Sequence, residues 1–161
     1  MKTVILYYSY EGNTKMIAEK CAQVLNCDIF RIETKKAFKS QGLMKYVWGG
    51  KQAMMKELPD LVPFNYDLNA YDTVLLGTPI WSWTIAPAIR SLLEKHLKDK
   101  DIYLFYTHEG GDQNITQKAE EIISKHNHFI GIKGFMNVIK DADTNMKECE
   151  FWAKELKEKI K

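Results

Sequence analysis

The sequence predicts one doubly wound α/β domain: a five-stranded, mostly parallel sheet with helices on both faces. Three observations lead there. Short β-rich apolar runs alternate with helical stripes along the chain. The first run, Thr3–Tyr8, is continuously apolar rather than alternating, as in a strand buried on both faces. No internal repeat or low-complexity linker divides the 161 residues, whose 45% hydrophobic content suits a single domain over 1–161 with a sizeable core.

After Thr3–Tyr8 the spacing changes at Thr14 to Ile17, Cys21, Val24 and Leu25, an i, i+4, i+7, i+8 stripe that marks an amphipathic helix. Asp28–Glu33 reads as a second strand, and Thr73–Thr78 as a third that ends at Pro79. Ile89, Leu92, Leu93 and Leu97 give the next helix, with Pro87 near its start, where proline is tolerated. Ile102–Thr107 is a fourth strand, followed by a helix carrying Ile115, Ala119, Ile122 and Ile123. Phe129–Ile139 contains a fifth strand, and Cys149, Ala153, Leu156 and Ile160 line a terminal helix. Right-handed crossovers between parallel strands then force helices onto both faces of the sheet.

The segment at about 35–71 is longer than a crossover needs. Leu43–Trp48 and Ala53–Leu58 have helical character, with Gly49-Gly50 between them. Each glycine costs ~1 kcal/mol inside a helix, so the segment is either an enlarged helical layer over the sheet or a lid or partner surface beside a ligand.

Composition removes several function classes. A net charge of +2 is too small to argue for nucleic acid, and the lysines interleave with glutamates, most visibly in Lys154–Lys161, as on a solvated helix face. The apolar runs fall far short of the ~20 residues that span a bilayer. Met1-Lys2-Thr3 enters a strand without a leader-like apolar region, so the expectation is a cytoplasmic protein without membrane or nucleic-acid partners. Cys21, Cys27 and Cys149 lack metal or CxxC spacing and read as buried reduced thiols.

In a sheet of this kind ligands bind beyond the carboxyl ends of the strands. Three stretches fall there: Ser9–Thr14, Thr78–Trp83 and Thr107–Asp112, all dense in Gly, Ser, Thr, Asn or aromatic residues. The first, Ser9-Tyr10-Glu11-Gly12-Asn13-Thr14, joins a buried strand to a helix, so its N–H groups and the open helix end make an anion-binding concavity. Ser9 and Thr14 add hydroxyls, and Gly12 permits a tight turn. Taken alone, the same loop fits a plain helix-capping turn equally well. There is no GxxxxGK[ST] and no GxGxxG after the first strand, which argues against a P-loop NTPase and a dinucleotide site. No cysteine opens an anion loop as in a cysteine-nucleophile phosphatase.

Ser9-x-x-Gly12-Asn13-Thr14 resembles the phosphate loop of the flavodoxins, [ST]-x-T-G-N-T, with Glu11 in place of the usual threonine. Gly77-Thr78-Pro79-Ile80-Trp81 resembles the family's third-strand loop, and Thr107-His108-Glu109-Gly110-Gly111 stands where its next flavin loop lies. The resemblance implies a flavodoxin-like fold with strand order 2-1-3-4-5 and bound FMN at the switch point, flavodoxin being the standing example of that order. It implies cofactor contacts from Ser9, Tyr10, Glu11, Gly12, Asn13 and Thr14, from Thr78, Pro79, Ile80, Trp81, Ser82 and Trp83, and from Thr107, His108, Glu109, Gly110, Gly111 and Asp112. The Glu11 carboxylate is expected to point to solvent, away from a phosphate.

No residue need be catalytic, because the redox chemistry belongs to the cofactor. Three functions follow from the resemblance. The first is an electron carrier between a reductase and an acceptor protein. The second is an NAD(P)H-dependent FMN-containing reductase acting on a small-molecule quinone. The third is a binding module without flavin. Arg31 and Arg90, the only arginines, are expected on a strand and a helix, away from the loop cluster, which leaves no evident second phosphate pocket for a nicotinamide nucleotide. Glu11, Glu109 and Asp112 are expected to place negative charge at the ring end.

Overall fold

The computed structural model describes residues 1–36 and 58–160. The helical expectation for Leu43–Trp48 and nearly all of Ala53–Leu58 lies outside the described residues. The strands are β1 (Thr3–Tyr7), β2 (Asp28–Arg31), β3 (Thr73–Trp81), β4 (Thr84–Ile85), β5 (Asp101–His108) and β6 (His128–Met136). The described α-helices are α1 (Asn13–Leu25), α2 (Pro87–Lys95), α3 (Ile115–Ile123) and α4 (Ala142–Lys159). The main sheet runs β2-β1-β3-β5-β6, every pair parallel. Leaving out the two-residue β4, which pairs antiparallel with β3, this is the expected order 2-1-3-4-5.

Alternation along the central strands sends side chains to two separate cores. Val4, Leu6, Val74, Leu76, Ile102 and Leu104 pack against Ile89, Leu92, Ile122 and Ile123 of α2 and α3. Ile5, Tyr7, Leu75 and Phe105 face the other way, onto Ile17 and Cys21 of α1 and Cys149, Ala153 and Leu156 of α4. β1 is thus apolar on both faces, which is why it reads as an unbroken hydrophobic run. The stripe expected for α3 is the set that is buried, Ile115, Ala119, Ile122 and Ile123.

The third strand differs from its expected end. It runs through Pro79 to Trp81, and Pro79 pairs with Thr107 of β5. The reason lies in β1, which stops at Tyr7 opposite Gly77. From Thr78 onward one edge of β3 is free of β1, and a proline, which has no N–H to donate, is tolerated at such an edge. Beyond it, Ile80↔Ile85 and Trp81↔Thr84 close a short hairpin. The ends of the long segment after β2 are drawn together by an isolated bridge, Thr34↔Leu61, with Lys35 N–H donating to Asp60 O at 2.9 Å.

Gly77 sits at a tight point of the sheet. A Cβ built there would overlap the Phe105 ring and come within 2.9 Å of Tyr7 Cβ. Gly77→Ala is therefore expected to destabilise the fold by roughly 1–3 kcal/mol through overpacking. Urea unfolding followed by tryptophan fluorescence measures this, and an unchanged midpoint would mean that Phe105 can move aside.

Candidate functional site

The carboxyl ends of β1, β3 and β5 open onto one cavity of about 410 Å³, a size typical of small-molecule sites. All of the expected site residues except Gly12, Thr78 and Asp112 line it. Thr78 sits behind the cavity, fully buried, where its hydroxyl accepts from Ala86 N–H at 3.0 Å and donates to the Pro79 carbonyl at 2.9 Å. It braces the β3–β4 hairpin. Among the described residues, no lysine or arginine lines the cavity.

One end of the cavity is the loop into α1. Gly12 is the N-cap, with φ 101°, a backbone conformation that side chains disfavour, and it has no side chain with which to cap the helix. The first intrahelical bond is Met16 N–H to Gly12 O at 3.0 Å. Lys15 N–H instead donates to Ser9 Oγ at 3.2 Å, as does Gly12 N–H at 3.2 Å. Helix geometry leaves the N–H groups of Asn13 and Thr14 without an intrahelical acceptor. The positive end of a 13-residue helix thus opens at a cavity whose wall includes Ser9, Asn13 and Thr14. Glu11 is exposed at this end.

Three contacts fix the loop, two of them outside the sequence-derived set. Thr14 Oγ1 and Thr107 Oγ1 are 2.8 Å apart in a buried hydrogen bond that ties the loop to the end of β5. Asn13 Oδ1 accepts from Ile139 N–H at 3.0 Å, so the side-chain amide is held by the segment after β6. Arg31, expected to lie away from the loops, reaches across from β2 and donates from Nη2 to the Ser9 carbonyl at 2.9 Å. Its neighbour-strand position, β2 beside β1, brings it there, and strand order is not a local sequence signal.

The other end is aromatic. Trp81 is clamped edge-to-face between Tyr8 and Tyr10, with ring centroids 5.7 and 6.0 Å away. Burial pushes the Tyr8 phenol up to about 12, so it stays neutral. Trp83 is half exposed, its indole close over Gly111, where an added Cβ would be 3.0 Å from Nε1. Lys118 Nζ holds the Trp83 carbonyl at 3.0 Å. In the turn between β3 and β4, Ser82 and Trp83 take φ values of 46° and 60°. Both turn positions require positive φ, as in an I′ hairpin, yet neither is the usual Asn or Gly. Such non-glycine positions store about 1 kcal/mol or more each. Ser82→Gly is expected to raise stability by up to about 1 kcal/mol, read as a higher Tm, and a lower Tm would refute the strain.

Behind the third loop lies a fixed polar set. Gly110 N–H donates to His108 Nδ1 at 3.2 Å, so Nδ1 is an unprotonated acceptor and the ring proton sits on Nε2, 3.7 Å from Asp112. Asp112 also accepts from Tyr106 OH at 2.9 Å, and burial together with that bond pushes the Tyr106 phenol up to about 12. The Nδ1 contact makes His108 a brace for Gly110. The charge expected at this end is also moderated: Lys140 lies 3.3 Å from the Glu109 carboxylate.

This arrangement suits a ligand with an anionic terminus and a flat aromatic body. The family comparison decides which proteins share it: the flavodoxin family profile matches residues 2–152. The chain belongs to the flavodoxin family. Its fold is similar to that of a Lactobacillus acidophilus NCFM flavoprotein solved in complex with FMN, at 25% identity and TM-score 0.71, covering 89% of this chain and 97% of that one. It is also similar to a protein from Bacteroides eggerthii DSM 20697 provisionally assigned as a flavoprotein, at 20% identity and TM-score 0.77, covering 94% of each chain. Oxidised flavodoxin 2 from Bacillus cereus matches at 18% identity and TM-score 0.61, covering 99% of each chain. A comparison with curated proteins gave no match.

Proposed function

We propose that this chain is an electron carrier that holds FMN without a covalent bond and exchanges electrons with protein partners in the cytoplasm. FMN is the cofactor its family membership implies, and the residues present fit it. The observation that carries the reading is the α1 end: a side-chain-free N-cap, two orphan N–H groups and three polar side chains, with no cation among the described lining residues, facing one cavity with an aromatic wall. That donor set suits a phosphate held by neutral groups and a helix dipole. Ser9, Asn13 and Thr14 would hold the phosphate, and Trp81 would flank the ring. When bound, the isoalloxazine supplies electron transfer in single or paired steps.

The protein's own part is to position and shield. Arg31, Ile139 and Thr107 pin the phosphate loop from three neighbouring elements. Lys118 and Gly111 set the Trp83 rim, and His108 sets Gly110. Among the described residues no cation lines the cavity to offer a second phosphate site, which supports a carrier over a reductase that takes hydride from a nicotinamide. Among the described residues no helix is long and apolar enough to cross a membrane.

Anaerobic stopped-flow mixing of the FMN-loaded chain with NADH or NADPH tests this. Slow reduction that rises linearly with nucleotide, together with rapid reduction by a flavodoxin reductase, is expected. Saturable reduction faster than about 1 s⁻¹, the low end of ordinary turnover, would assign the chain to the NAD(P)H-dependent quinone reductases instead.

A further inference from the structure

On the opposite face of the sheet from the α2–α3 core, the structure brings together two thiols that electron transfer does not use. Cys21 lies in the middle of α1 and Cys149 in α4, and neither side chain has exposed surface. Their sulfurs are 3.4 Å apart. Cys149 donates to the Ile17 carbonyl at 3.6 Å, so its own sulfur is the acceptor for the Cys21 S–H. The two sulfurs therefore meet head-on across the helix interface. Small neighbours, Ala18 and Ala153, let the helices approach. The interface is braced near both cysteines, by Lys20 with Glu150 at 2.7 Å and by Lys157 Nζ with the Val24 carbonyl at 2.9 Å.

We propose that Cys21 and Cys149 are a latent oxidation site, which peroxide-class oxidants close into an intramolecular disulfide that staples α1 to α4. The S–S bond, about 2.05 Å long, needs each side chain to swing only part of the remaining gap. The step balances with hydrogen peroxide as the oxidant. One thiolate attacks the O–O bond, becomes a sulfenic acid and releases hydroxide, which takes up a proton to give water. The second sulfur then displaces the hydroxyl from the first, forms the S–S bond and releases a second water. Two electrons pass from the sulfurs to peroxide.

The dithiol is protected in the resting fold. The bond to Cys149 and burial push the Cys21 thiol well above its ordinary value, so the reactive thiolate forms only when the helix interface opens. Closure would span 128 residues of sequence and would constrain the unfolded chain accordingly. It would also join the helix that starts at the phosphate loop to the helix that follows the Ile139 segment bonded to Asn13.

The test uses the full chain, freed of reductant and exposed to hydrogen peroxide across a urea series that stops below unfolding. Samples are then denatured, alkylated and mapped without reduction. The expected product has lost two hydrogens, links the Cys21 and Cys149 peptides, and shows alkylatable thiols falling from three to one. Its urea midpoint rises and returns to the starting value after dithiothreitol. Cys27→Ser should keep the link, and Cys21→Ala and Cys149→Ala should each lose it. Three intact thiols throughout the series, bridges through Cys27, or sulfinic and sulfonic acids in place of the link would each overturn the proposal.

Discussion

Ser9→Ala is expected to weaken FMN binding about 10- to 100-fold while leaving riboflavin binding within about threefold of the parent. Ser9 Oγ already accepts two hydrogen bonds, from the N–H groups of Gly12 and Lys15 at 3.2 Å each. A hydroxyl has two acceptor sites and one proton, so the proton is the group left to offer, and Ser9 lines the cavity. A hydrogen bond to a charged partner contributes about 1.5–3 kcal/mol, and 1.4 kcal/mol is tenfold in affinity. Riboflavin has the same ring without the phosphate, so it does not feel this loss. Titration of both ligands against both proteins, with urea midpoints to show that the apoprotein still folds, decides the matter. Equal losses for the two ligands would mean that the α1 loop does not hold the phosphate.

The fold was legible because its signals are local. The stripe Ile115, Ala119, Ile122, Ile123 is a helix face whatever surrounds it, and Thr3–Tyr7 reads as an unbroken apolar run because its side chains alternate between two helix-covered cores. The extension of β3 through Pro79 was not legible. Whether a proline can sit in that strand depends on where a different strand, β1, stops. The two-residue β4 was hidden for a related reason, since its turn uses Ser82 and Trp83 at positive φ without the Gly or Asn that usually announces it.

The site divides the same way. Residues at strand ends could be gathered from sequence once the parallel order was assumed, and fifteen of them line one cavity. The residues that hold these in place could not. Arg31 reaches Ser9 from the adjacent strand, Ile139 reaches Asn13 across 126 positions, and Lys118 reaches the Trp83 carbonyl from α3. The Thr78 side chain shows the same limit from the other side. It sits in the right loop, but the pleat turns its side chain inward to the Ala86 N–H. A motif names a stretch of chain, and the alternation of the strand decides which members of it face the ligand.

Trp81→Ala is expected to weaken FMN and riboflavin together, by about 2 kcal/mol or roughly 30-fold, which is the opposite pattern to that of Ser9→Ala. Burying part of an indole against a flat ring contributes ~25 cal/mol per Å² of apolar area, and aromatic pairing adds ~0.5–1.5 kcal/mol. Trp81 can deliver this because its ring is already held between Tyr8 and Tyr10, so little rotamer freedom is lost on binding. Trp83, half exposed, gives a smaller loss when changed to alanine. Both ligands share the ring that Trp81 would flank, so the ratio of their affinities should stay at the parent value while both fall. Fluorescence titration of the flavin against each variant gives that ratio directly. A Trp81 variant that lost FMN but kept riboflavin would place the tryptophan at the phosphate end and reverse the assignment of the two ends of the cavity.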